Sequence, residues 1–156
     1  MENVNWTKHV ITPDKNNLPQ NFTKVDTDLQ IFENIIIDTV NNWPENLPKG
    51  NIHADLFPNN VFFTNEKISG IIDFYFACYD LLAYDIAVCI NSWCFKKNGE
   101  FSQSNLEALL LGYSEIKKLR DNEKKNLLLL TKGAAIRFFL TRLFDWYNTP
   151  SGANVK

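Results

Sequence analysis

Four stretches of the chain carry apolar residues at the three- and four-residue spacing of an amphipathic helix. They predict helices over about 27–43, 82–95, 104–118 and 121–147. The capping patterns Thr27-x-x-Gln30 and Ser104-x-x-Glu107 open the first and the third of these helices. On the last helix we expect one apolar stripe to face the core. Its members are Ile136, Phe139, Leu140, Leu143 and Trp146.

Two short apolar runs, 61–63 and 68–72, are typical of strands, and the polar residues between them predict a hairpin turn at 65–67. Pro48-Lys-Gly50 predicts a separate turn before the hairpin. The order is one helix, a hairpin and three further helices, so we predict an α+β fold that is mostly helical. Residues 1–26 are polar and weakly periodic. We predict a leader over 1–26 and a single domain over 27–156.

The composition narrows the class of protein. The chain is 45% apolar and has a formal net charge of −2, which indicates a sizeable core and argues against nucleic-acid or membrane partners held by a basic surface. No apolar stretch is long enough to predict a spanning helix. The cysteines, Cys78, Cys89 and Cys94, lie in apolar segments and match no zinc pattern. We expect reduced, buried thiols in a cytoplasmic protein.

Candidate chemistry lies around the predicted hairpin. Asp55 and Asn60 precede its first strand, and Asp73 follows its second. Asp55 can orient or deprotonate an alcohol, and Asn60 and Asp73 offer the hard oxygen ligands that Mg²⁺ prefers. Phosphoryl transfer requires such an oriented acceptor and a cation near the transferred phosphate. The alternative is structural, because Asp and Asn are also common turn residues.

The segments around these residues resemble a known family. Asn51-Ile-His-Ala-Asp-Leu-Phe-Pro-Asn-Asn-Val-Phe-Phe63 and the run from Ser69 to Asp85 are similar to the type II homoserine kinases, as are 91–95 and 133–150. That family belongs to the aminoglycoside-phosphotransferase-like superfamily, which shares the protein-kinase fold. The resemblance implies a kinase-like C-terminal lobe that phosphorylates L-homoserine for threonine biosynthesis, with ATP as donor and Mg²⁺ as cofactor. Asn59 departs from the Asp that is common in the family.

The resemblance also implies roles for single residues. Asp55 resembles the catalytic base, and Asn60 and Asp73 resemble the magnesium ligands. His53 would brace the backbone around Asp73. Asp85 resembles the acid that accepts hydrogen bonds from the catalytic-loop backbone, with a helix N-terminal acid as the alternative.

Arginines on the last predicted helix are candidates for binding the acceptor. Homoserine has a carboxylate, which suits an arginine fork, so we expect Arg137 or Arg142 to bind it. The alternative is a solvated polar face, on which Arg142 pairs with Asp145.

The nucleotide-gripping half of a kinase is missing from the sequence. The six glycines are widely spaced, at 50, 70, 99, 112, 133 and 152, so no Gly-x-Gly loop exists to cover the phosphates. We therefore expect a truncated C-terminal lobe without its N-terminal nucleotide lobe, inactive alone, with a separately encoded N-terminal lobe as one potential partner. The alternatives are an inactive remnant or pseudokinase lobe that acts as a binding module, and a kinase for another alcohol such as an aminoglycoside or choline.

Overall fold

The computed structural model describes residues 25–149, with side chains from 30 onward. The predicted leader lies almost entirely outside this range, and the predicted domain limits stay a prediction. Four helices and four short strands make up the described part, which confirms a mostly helical α+β fold. In chain order they are α1 Val25–Asn41, β1 Lys49–Ile52, β2 Val61–Thr64, β3 Lys67–Ile71, β4 Cys78–Leu81, α2 Leu82–Trp93, α3 Gln103–Ile116 and α4 Asp121–Asn148.

The described residues divide into two compact units after Asn42. The described part of the first unit is mainly α1, which already includes Val25, so Thr27 lies within the helix and is not its N-cap. Near its other end, the Asn42 side chain donates to the backbone oxygen of Asp38 at 2.8 Å. The same carbonyl also accepts the Asn42 backbone N–H at 3.1 Å, and Pro44 follows two residues later.

The second unit, 43–149, contains two antiparallel two-stranded sheets. The predicted hairpin is confirmed: β2 pairs with β3 from Val61↔Ile71 to Thr64↔Lys67. Asn65 and Glu66, both at positive φ, form the turn.

The second sheet, β1 with β4, was not expected, and the predicted turn at Pro48–Gly50 is wrong because β1 begins at Lys49. Gly50 serves close packing here: a Cβ on it would lie 2.8 Å from Leu82 Cδ2.

The core of this unit forms where α2 packs on α4. Ala83, Ala87 and Val88 of α2 and Leu130 and Ala134 of α4 are fully buried. Small residues at such a contact let two helices approach closely. A second cluster lies between α2 and α3 and contains Ile86, Ile90 and Cys94.

The predicted apolar stripe on α4 is wrong for most of its length. Phe139 is 53% exposed and Trp146 70% exposed, and Leu143 is exposed as well. The buried positions of α4 are Glu123, Leu130 and Ala134, nearer to its N-terminus. The reason is length, because α2 has 12 residues and α4 has 28, so α2 can cover only part of α4.

Two local predictions also need correction. The cap of α3 is Ser102, whose hydroxyl accepts from the Asn105 N–H, and Ser104 lies within the helix. Cys89 and Cys94 are buried as expected, but Cys78 is exposed because it begins β4, a strand with only one neighbour. Across residues 25–149, no helix combines the length and hydrophobicity that crossing a bilayer requires.

Candidate active site

The loop over residues 53–60, called loop 53–60 below, connects β1 to β2 and holds Asp55 and Asn60. The Asn60 amide donates to the backbone oxygen of Asp55 at 2.8 Å and to Asp55 Oδ2 at 3.2 Å. Within the loop, the Phe57 N–H donates to the Asp55 oxygen and the Asn60 N–H to the Phe57 oxygen. The NH₂ group of Asn60 faces Asp55. The amide oxygen of Asn60 therefore points away from Asp55 and can ligate a cation.

The hairpin brings Asp73 to the same end of the ribbon as Asn60. Asn60 directly precedes β2, Asp73 follows β3 by two residues, and the Ile72 N–H donates to the Asn60 oxygen at 3.0 Å. Asp73 is exposed, and its backbone has a left-handed conformation with φ 63° and ψ 58°. A non-glycine residue in this region is held there by its surroundings.

One of those surroundings is His53. Its Nε2 lies 2.9 Å from the Ile72 oxygen, which identifies Nε2 as the protonated nitrogen, since a carbonyl only accepts. The ring packs against Phe74 with centroids 4.6 Å apart. Nδ1 is buried without a hydrogen-bond partner. His53 therefore contacts the backbone immediately before Asp73, where the sequence predicted it.

Asp85, in the first turn of α2, holds the start of the loop. Its Oδ2 accepts from the His53 N–H at 3.0 Å and its Oδ1 from the Ala54 N–H at 2.7 Å. Ala54 is left-handed, with φ 60°, and almost fully buried. This conformation turns two successive N–H groups toward one carboxylate, as in an anion-binding nest. The predicted contact between Asp85 and the loop backbone is therefore present.

Arg137 of α4 is the arginine that reaches the loop. Its Nη2 lies 3.8 Å from Asp55 Oδ1, and the two side chains are 20% and 17% exposed. The guanidinium lies over the rings of Phe138, at 4.2 Å, and Phe76, at 5.1 Å. Burial raises the pKa of the nearby Tyr84 hydroxyl, and the Arg137 charge acts in the opposite direction. These contacts fix the position of the guanidinium before any ligand binds.

Arg142 does not share that position. It is exposed and lies five residues further along α4, a rotation of about 140° around the helix from Arg137. Of the two arginines that the sequence offered, only Arg137 contacts the candidate site. Phe76, Phe138 and Tyr84 were not predicted as site residues, because nothing in their local pattern distinguishes them from core residues.

Burial and neighbouring charges perturb the pKa of Asp55 in opposite directions. Burial raises the pKa of Asp55 above its usual value of 3.8, and this is the largest effect. The Arg137 charge and the hydrogen bond from Asn60 lower the pKa, and the Asp73 charge raises it again. A carboxylate with a raised pKa accepts a proton from an alcohol more readily.

The oxygen donors fit Mg²⁺ bound together with substrate, and not a closed metal cage. Asn60 and Asp73 supply amide and carboxylate oxygens at one end of the ribbon. Among residues 25–149, no three His, Cys, Asp or Glu side chains converge on one point. Mg²⁺ typically keeps several waters and takes one or two protein carboxylates together with substrate phosphates. Asn60 and Asp73 are therefore candidate ligands of that kind.

Comparison with known sequences assigns the chain to a family. The sequence profile of the phosphotransferase enzyme family matches residues 11–119, so the chain belongs to that family.

Individual curated proteins that resemble the chain narrow the class of enzyme further than the family profile does. Over 104 residues the chain is 62% identical to a homoserine kinase of Sinorhizobium fredii (strain NBRC 101917 / NGR234) and 60% identical to one of Gluconacetobacter diazotrophicus. Each match covers 67% of this chain and 32% of the relative. A homoserine kinase of Xanthobacter autotrophicus is 58% identical over 105 residues. The predicted resemblance to homoserine kinases is confirmed, and the chain spans about a third of the length of these relatives.

Proposed function

We propose that this chain forms the acceptor- and metal-binding part of a homoserine kinase, in the position of a protein-kinase-like C-terminal lobe. The reaction is transfer of the γ-phosphoryl group of ATP to the side-chain hydroxyl of L-homoserine. One observation supports the proposal: the Asn60 amide donates to Asp55 and the Ile72 N–H, next to Asp73, donates to the Asn60 oxygen, in a chain 62% identical to a homoserine kinase over 104 residues.

In this proposal each residue has a distinct task. Asp55 receives the proton of the acceptor hydroxyl and orients its oxygen toward phosphorus. Asn60 and Asp73 would hold Mg²⁺, which neutralises charge on the phosphates when it is bound. His53 fixes the backbone before Asp73, and Asp85 fixes the backbone before Asp55. Those two act through position, because neither is placed to touch the reacting atoms.

Arg137 supports an acceptor that carries a carboxylate. A guanidinium 3.8 Å from Asp55 Oδ1 lies beside the oxygen to which an alcohol activated by Asp55 would bind. Two unit charges about 4 Å apart interact by roughly 4 kcal/mol near a protein surface. This attraction favours the carboxylate of homoserine. It opposes choline and aminoglycosides, which are cations, so Arg137 argues against that alternative.

We expect the 156 residues alone to transfer phosphate poorly. They contain no Gly-x-Gly loop, and phosphate clamps supply positional and electrostatic stabilisation that is central to this chemistry. An N-terminal lobe supplied as a second chain should restore turnover. Phe62, Phe63 and Ile68 of the hairpin are exposed, which agrees with a surface that another segment covers in the whole enzyme.

The test is ADP release by the purified chain, with and without an added N-terminal lobe of a homoserine kinase. L-Homoserine, choline and an aminoglycoside serve as acceptors, and Asp55→Asn is the control variant. We expect homoserine-dependent ADP release only with the added lobe, reduced by at least about 10²-fold in Asp55→Asn. Equal rates in the two proteins would remove Asp55 from its role. No turnover despite a bound lobe would favour the inactive remnant.

A further inference from the structure

Trp93, the last residue of α2, reaches back to loop 53–60. Its indole Nε1–H donates to the backbone oxygen of Leu56 at 2.8 Å. The Ser92 hydroxyl lies 3.3 Å from the same oxygen, but it lies closer to the Val88 oxygen, at 2.9 Å. Trp93 is therefore the stronger donor to Leu56, the residue that directly follows Asp55.

We propose that Trp93 is a positioning residue for the phosphotransfer site. A hydrogen bond to the Leu56 oxygen fixes the peptide plane between Leu56 and Phe57. That plane determines how the chain leaves Asp55 and turns toward Asn60. Trp93 thereby holds the stretch across which Asn60 bonds to Asp55.

The two ends of α2 hold the loop from both sides. At the first turn of the helix, Asp85 accepts the N–H groups of His53 and Ala54. At its last residue, Trp93 donates to the Leu56 oxygen. Asp55 lies between these two anchors, so its backbone is constrained before it and after it. Asp85 alone leaves the segment from Leu56 onward without such a restraint from α2.

The indole itself is held by neighbouring elements. Its ring meets Phe63 of β2 edge to face, with centroids 6.3 Å apart. The backbone oxygen of Trp93 accepts from the Asn105 amide of α3 at 2.8 Å. A donor fixed in this way loses little freedom when it bonds, so its hydrogen bond orients the loop effectively.

Amide hydrogen exchange of the 156-residue chain tests the inference directly. Trp93→Phe keeps an aromatic ring and removes the donor. Loss of one neutral hydrogen bond corresponds to an exchange about 3- to 10-fold faster for the Phe57 and Asn60 amides. Ser92→Ala should have a smaller effect, because its hydroxyl is shared with Val88. Trp146→Phe, the same change at an exposed position of α4, should leave both rates unchanged.

A change in amide exchange that is confined to the loop distinguishes a positioning role from a general effect on stability. If Trp93 only supports the fold, Trp93→Phe accelerates the slowest amides of α2 and α4 by the same factor as those of the loop, and the proposal fails. It also fails if the two loop amides exchange as in Trp146→Phe, or are unprotected in the unaltered chain. The expected result is a change in the loop with the helix amides unaltered.

The consequence for catalysis rests on the proposed function, and Mn²⁺ binding followed by water-proton relaxation addresses it separately. Trp93→Phe should weaken Mn²⁺ binding at least about 3-fold, because it loosens the loop that carries Asn60, while Trp146→Phe binds as the unaltered chain does. Equal affinities would limit Trp93 to a structural role and overturn its link to the site. If the unaltered chain binds no Mn²⁺, the proposed metal site fails, and the exchange rates still decide whether Trp93 positions the loop.

Discussion

Replacing Asp85 with Asn tests whether this residue holds the candidate active-site loop or is simply an acid favoured at a helix N-terminus. The carboxylate accepts the N–H groups of His53 and Ala54 with its two oxygens. Asparagine keeps one acceptor oxygen and replaces the other with an NH₂ group. One of the two backbone donors then faces another donor, and Ala54 loses support for its left-handed conformation.

The two hydrogen bonds to Asp85 determine how much stability the Asp85→Asn variant should lose. A hydrogen bond to a charged group contributes about 1.5–3 kcal/mol, and a buried donor left without a partner costs a similar amount. We therefore expect Asp85→Asn to lower the free energy of unfolding by about 2–4 kcal/mol. A favourable interaction with the helix dipole alone would contribute only about 0.3–1 kcal/mol.

Asp121→Asn is the matched control, since Asp121 is also an acid in the first turn of a helix, α4, but its side chain is 91% exposed. Urea unfolding at neutral pH measures both variants. In thermal unfolding the expected difference between them is about 5–12 °C for a chain of this size. If Asp85→Asn and Asp121→Asn agree within about 0.5 kcal/mol, the two hydrogen bonds do not stabilise the fold, and the dipole alone accounts for Asp85.

Three further outcomes are expected. Since burial raises the pKa of Asp55, the folded chain keeps a proton there that the unfolded chain releases above pH 3.8. The unaltered protein should therefore lose stability relative to Asp55→Asn as the pH rises above 3.8; a difference independent of pH in urea unfolding would contradict this. Thiol reagents at about pH 8 should modify the exposed Cys78 first. Cys89 should react only after unfolding, because burial raises its pKa to about 12. Simultaneous modification of the two thiols would contradict the burial pattern. In the enzyme reconstituted with an N-terminal lobe, Arg137→Lys should raise the KM for homoserine far more than that for ATP, because Lys keeps the charge and loses the fork; an equal effect on the carboxylate-free acceptor 3-aminopropanol would remove Arg137 from that role.

The sequence predicted those parts of the fold that depend on nearby residues. The hairpin is an example, because its two apolar runs and polar turn lie within a dozen residues. The limits of α2 and α4 also follow from local periodicity, and those of α4 from capping as well. The start of α4 near Asp121 agrees with a bond from the Arg120 N–H to the Glu123 carboxylate.

Pairing between distant segments could not be predicted in the same way. β1 and β4 pair across about 30 residues, and β1 is only four residues long with a glycine in it. Pro48 and Gly50 suggested a turn, but tertiary pairing decided the conformation. The stripe on α4 failed for a related reason. Periodicity shows that a helix has an apolar face and does not show how far along the helix a partner covers that face.

The same limit applies to the candidate site. Asp55, Asn60 and Asp73 could be proposed from spacing, because one loop and one hairpin carry all three. The choice between Arg137 and Arg142 depends on how α4 packs against the loop, which neither residue reveals locally. Trp93 is a further case, since its donor meets an acceptor 37 residues earlier in the chain. Its neighbours in the sequence gave no reason to connect it with Leu56.

These contacts make the geometry of the site depend on the contact between α2 and α4. Loop 53–60 is held by α2, whereas Arg137 belongs to α4, so the 3.8 Å between Arg137 and Asp55 is set by how the two helices pack. Ala87 and Ala134 are fully buried in the core cluster that joins these helices, and the Asn91 amide of α2 donates to the Thr131 oxygen of α4 at 2.8 Å. Ala134 precedes Arg137 by about one turn, so the two residues lie on the same side of α4. The small residues of this contact therefore set the relative position of the candidate base and the candidate acceptor-binding arginine.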